Sequence, residues 1–182
     1  MYTASQKRKE NIAEYLLYMW QIEDLIRAND LDIEKIKNTL IIPSNLDEQH
    51  TRELTQWYES LIDMMRHDEV SKSGHLQINR NVLSDIVRMH RQLLEDPKKT
   101  AYHDQFYKTL PYIVELRAKA GENRAGEIET CFNALYGLLM MRLKHQEVSP
   151  ETLQAMTQIS RLLAMLAAEY KQDEESPDIP SE

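Results

Sequence analysis

Turn-forming residues are scarce in this chain. It has four glycines and six prolines in 182 residues. Sandwiches and barrels spend these residues on strand corners and tight turns, so their rarity argues against both. Strict alternation of apolar and polar residues is also absent, which leaves no strand pattern. A single cysteine, Cys131, excludes an intrachain disulfide and fits a reducing compartment. The longest charge-free stretch within a helical pattern, residues 130 to 141, is too short to span a bilayer. No secretory signal is readable, because Glu14 interrupts the apolar run near the N-terminus and no small-residue cleavage site follows.

Positive charge is in deficit. The formal net charge is −8, and half of it lies in the last twelve residues, KQDEESPDIPSE. No basic stripe stands out, and Lys7-Arg8-Lys9 is too short to make one, so no nucleic-acid surface is expected. A cytoplasmic protein that meets neither membrane nor nucleic acid follows from these absences.

What is present is helix. Leu, Met, Glu, Gln, Ala, Lys and Arg dominate, and apolar residues recur at spacings of three and four from end to end. The spacing predicts helices over about residues 5–28, 32–40, 47–67, 77–95, 96–120, 123–144 and 150–171. Asp47 is placed to cap the third, Asp96-Pro97 to start the fifth and Ser149-Pro150 to start the seventh. Pro111 predicts a kink or break in the fifth helix near residues 107–110. Ser71-Lys72-Ser73-Gly74 reads as the most flexible interior stretch. The expected architecture is all-α: one domain over residues 1–171, a bundle of six to seven helices with the first and sixth central. Residues 172–182 form an acidic tail expected to be disordered, since they lack the apolar content to order themselves.

The first and sixth helices carry the main puzzle. Apolar side chains of the first, YLLYMWQIEDL at its centre, cover roughly 280° of its circumference, more than the stripe a peripheral helix needs. Either other helices surround it, or it lies partly in a homodimer interface. Glu23 falls in the middle of its best apolar face. In the sixth helix, Arg142 falls on the face of Ile128, Cys131, Phe132, Leu135, Leu138 and Leu139. A buried carboxylate needs a partner, and arginine is shaped to supply two parallel hydrogen bonds, so a Glu23–Arg142 pair is expected. Arg27, one turn on from Glu23, is the competing local partner.

Motifs of chemistry are missing. There is no glycine-rich nucleotide loop, no HExxH and no Glu-x-x-His. The histidines, His50, His67, His75, His90, His103 and His145, contain no His-x-x-x-His pair. No catalytic residue, metal ligand or cofactor is therefore assigned. A metal site gathered from separate helices would be invisible in a single sequence. His90 shares a face with Ile86, Val87 and Leu94, so it points inward. It could transfer protons, bind a metal or relay phosphate, but a phosphoacceptor must be exposed, and the reading as a satisfied core histidine leads. Cys131 reads as a buried apolar group. Tyr15, Tyr18 and Trp20 could line a ligand pocket; core packing with polar tips at the edge is the commoner arrangement.

Two stretches, IAEYLLYMWQIEDLIRA (residues 12–28) and ETCFNALYGLLMMRLKHQEVSPET (residues 129–152), resemble an uncharacterised family of about this length from Bacteroidetes bacteria, catalogued only as a domain of unknown function. The resemblance covers almost the whole chain. It implies a bacterial, cytoplasmic, mainly helical protein and carries over no activity, ligand or catalytic residue. The leading functional reading is a non-enzymatic helical interaction or scaffold protein. Its alternative is a small-ligand-binding or enzymatic bundle with a polar site at Glu23, Arg142, Tyr15, Tyr18 and His90.

Overall fold

A computed structural model describes residues 2–121 and 125–175. Among them the chain is all-α, with eight α-helices: α1 (Tyr2–Glu10), α2 (Ile12–Ala28), α3 (Ile33–Ile36), α4 (Glu48–His67), α5 (Gln77–Glu95), α6 (Thr100–Lys119), α7 (Glu127–Leu143) and α8 (Pro150–Glu175). No helix among the described residues is long and apolar enough to cross a membrane. Contacts within this domain cluster into two compact units, residues 1–9 with 14–82, and residues 10–13 with 83–182.

The single helix expected over residues 5–28 is interrupted at Asn11. Its side-chain oxygen accepts the Ala13 N–H at 3.0 Å and so starts a new helix. On α2, Tyr15, Leu16, Met19, Trp20, Ile22, Glu23 and Ile26 are buried, an arc of roughly 160° at 100° per residue. After it, Asp32 caps α3 through the Glu34 N–H at 2.9 Å. The chain then widens into a π-turn (Lys37–Ile41) and tightens into a 3₁₀ turn (Ile42–Ser44), where a plain helix to Leu40 is expected from sequence. The wide turn lets Ile36 and Ile41, five residues apart, both be buried. Asp47 caps α4 as predicted, accepting the His50 N–H at 2.9 Å.

In the second unit α6, α7 and α8 pack on one another. α5 spans residues 77–95, as its spacing predicts. Asp96 does not cap α6. It closes a short turn onto the Lys98 N–H at 2.9 Å, and α6 begins at Thr100. Nor does Pro111 break α6. Tyr107, whose carbonyl loses its donor there, is exposed, as is Pro111, so water can take the donor's place. Ser149 caps α8, accepting the Thr152 N–H at 3.2 Å. α8 continues to Glu175, so residues 172–175 are helix where a disordered tail is expected. The remainder of that tail, like the expected start of the sixth helix at Asn123, lies outside the described residues. The core of this unit is built from Tyr102, Phe106, Ile113, Ile128, Cys131, Phe132, Ile159, Leu162 and Leu166.

Candidate functional site

Glu23 is buried, with none of its surface exposed, on the face its spacing predicts. Its partner is not Arg142. One carboxylate oxygen, Oε1, accepts the Leu76 N–H at 2.9 Å and the Asn79 side-chain N–H at 2.6 Å. The other, Oε2, lies 2.6 Å from His75 Nδ1. Arg142 is exposed near the end of α7. The expected pair is thus replaced by three donors from one short segment at the start of α5. The reason is local. The first backbone N–H groups of a helix have no intrahelical acceptor, and a carboxylate supplies one at the positive end of the helix dipole. Asp68 does the same for the Gln77 N–H at 2.7 Å.

Arg27, the local competitor, also goes elsewhere. Its Nη1 donates to Asp24 at 2.7 Å. Nη2 donates to the Val70 carbonyl at 3.1 Å and to the Gly74 carbonyl. Residues 70–76 are therefore fastened to α2 from both sides, by an acid that takes their N–H groups and a base that fills their carbonyls. Of the stretch expected to be the most flexible in the interior, residues 71–74, Arg27 holds the Gly74 carbonyl. Gly74 adopts φ +89°, a left-handed conformation that glycine takes without strain. His75 lies flat on Trp20, ring centroids 4.1 Å apart and planes 13° apart, with a third of its side chain open to solvent. Asn79 is wholly buried, and its Oδ1 finds no hydrogen-bond partner among the described residues.

Of the other expected residues, Tyr15 is buried with Arg8 over its ring at 5.6 Å, and Tyr18 is half-buried. Burial pushes the Tyr18 hydroxyl above its ordinary range. His90 is buried, as its spacing predicts, in a cluster of the second unit. Its Nδ1 lies 2.6 Å from the Tyr102 hydroxyl and its Nε2 3.5 Å from the Glu127 carboxylate, too long for a good hydrogen bond. Phe106 packs on the ring with centroids 5.0 Å apart. Burial lowers the His90 pKa against the opposing pull of Glu127, so the ring is neutral and accepts the Tyr102 O–H. Burial also raises the Tyr102 hydroxyl, and it raises the Cys131 thiol to about 12, which leaves both protonated and unreactive at neutral pH.

No group of three or more His, Cys, Asp or Glu side chains among the described residues is arranged to hold a metal ion. A cavity of about 600 Å³ lies at the α2–α3 turn, walled by Asp30, Asp32, Glu59, Asp63 and Arg66. None of the expected site residues lines it. Sequence reasoning missed His75, Asn79, Tyr102 and Glu127 as partners. A signal existed only for the Leu76 N–H, since Leu76-Gln77 opens a predicted helix whose first N–H groups call for an acceptor.

The arrangement at Glu23 fastens residues 75–79 to α2. No curated protein and no solved structure matches this sequence. A family model does, over residues 1–177, and the chain belongs to that family, described as Domain of unknown function (DUF4924).

Proposed function

We propose that this protein is a non-enzymatic helical interaction or scaffold protein of the bacterial cytoplasm that works as a homodimer. The observation that carries this reading is the state of its most unusual interior charge. Both oxygens of the Glu23 carboxylate are engaged by donors of the same chain, within a fully buried setting. A group so used, and closed off from solvent, serves to hold a fold together.

Self-association is supported by α7. The face formed by Ile128, Cys131 and Phe132 is buried, yet its continuation through Leu135 and Leu139 is only half-covered, and Leu143 is 63% exposed. A second copy would cover that stripe by presenting the same patch, as a two-fold interface requires. On α2, by comparison, an arc of roughly 160° is buried, and Leu17, Tyr18 and Leu25 beside it are half-covered.

Light scattering at micromolar concentration tests the reading. The expected mass is twice the 21.4 kDa of the chain, falling to one chain in Leu143→Glu. A wild-type mass of one chain removes the dimer. Native mass spectrometry that finds a small molecule retained in the purified protein would favour the ligand-binding alternative.

A further inference from the structure

We propose that Glu23, His75 and Trp20 form a proton-sensitive latch that fastens residues 70–76 and the start of α5 to α2. The geometry sets the chemistry. A buried carboxylate only accepts, so His75 Nδ1, 2.6 Å from Oε2, carries its proton whatever the charge of the ring. The state of the ring is decided at Nε2. His75 is one-third exposed, so its ring exchanges protons with solvent while Glu23 stays sealed. With both nitrogens protonated, the bond joins opposite charges and neutralises the buried anion. With Nε2 deprotonated, the same bond joins a neutral donor to an anion that keeps only neutral partners, and charge-assisted bonds are the stronger kind. The Trp20 face under the ring adds to the difference, because an imidazolium over an indole gains a cation–π attraction that neutral imidazole lacks.

Neighbouring charges are occupied or turned outward. On α2, Asp24 and Arg27 pair with each other at 2.7 Å. In the loop, Asp68 accepts the Gln77 N–H, and Glu69 and Lys72 are exposed. On α5, Arg80 Nη2 donates to the Gln77 side chain at 2.8 Å. Glu23 is therefore the charge in direct contact with the His75 ring.

Trp20 makes the latch readable. The chain has two tryptophans, so Trp57→Phe leaves Trp20 as the sole emitter. A stacked imidazolium quenches indole emission more than neutral imidazole does. As pH rises and Nε2 of His75 loses its proton, Trp20 emission is expected to rise. Over the same interval, amide protection of residues 70–76, corrected for intrinsic exchange, is expected to fall roughly tenfold, the scale on which charged and neutral hydrogen bonds differ. Protection of residues 159–166 in α8 is the internal reference and is expected to hold. His75→Gln, which keeps a neutral donor, is expected to abolish both transitions and leave the loop weakly protected at every pH. Transitions that persist in His75→Gln overturn the proposal, and so does a step in emission with flat loop protection. If His75→Gln does not fold, the wild-type loop-to-α8 comparison decides the same question.

Discussion

Two histidine–carboxylate pairs sit in the two units of this protein, and they are turned inside out relative to each other. At Glu23–His75 the carboxylate is 0% exposed and the imidazole 33%. At His90–Glu127 the imidazole is 4% exposed and the carboxylate 37%. The difference in their surroundings follows from which member is buried. A buried carboxylate has no cheap way to shed its charge at neutral pH, so the chain brings it three donors at 2.6 to 2.9 Å. A buried imidazole sheds its charge simply by losing a proton, so one good hydrogen bond, from Tyr102, suffices, and Glu127 can stand at 3.5 Å.

That contrast ranks the consequences of breaking each pair. The largest effect is expected for Glu23→Leu, which strands the Leu76 N–H, the Asn79 amide and His75 at once. Removing one member of a buried charged pair costs about 3–5 kcal/mol, and urea unfolding measures it. Tyr102→Phe breaks the other cluster and leaves the His90 ring nitrogen without its donor. The expected loss is about 1–3 kcal/mol, by the same assay.

Acid sharpens the comparison next. Burial lowers the His90 pKa, so the unfolded chain binds a proton there more readily than the folded one. The contribution of this site is complete above the unfolded value of about 6.5 and is lost as pH falls from there through the folded pKa. The melting temperature is expected to drop on acidification, and His90→Phe is expected to flatten that part of the profile. A profile as steep in the variant as in wild type would reject this account of His90. The smallest effect concerns Cys131. With its thiol held at about 12 by burial, it is expected to resist iodoacetamide at pH 8 in the native protein and to react only on unfolding.

Helix identity was legible in the sequence wherever a cap and a period agreed, as at Asp47, at Ser149 and over residues 77–95. The burial of Glu23 and His90 was legible too, since a helical wheel fixes the angle at which a side chain leaves the axis. A wheel does not say how far along the axis the cover extends. Arg142 shares an angle with Cys131 and Leu138, both buried, but the cover on that face ends before the next turn, and Arg142 is exposed. His75 was hidden for a different reason. It is 52 residues from Glu23 and belongs to a loop, where no period marks which way a side chain points. The break at Asn11 was missed because the apolar pattern runs straight through it, while the side-chain cap that restarts the helix is a matter of one hydrogen bond.

The central claim is that Glu23 is a fastener for residues 70–79. Hydrogen exchange in Glu23→Leu tests it most directly. The account predicts that protection collapses first across residues 70–79, while residues 159–166 of α8 keep theirs until global unfolding. Protection across residues 70–79 equal to that of the wild type would contradict it.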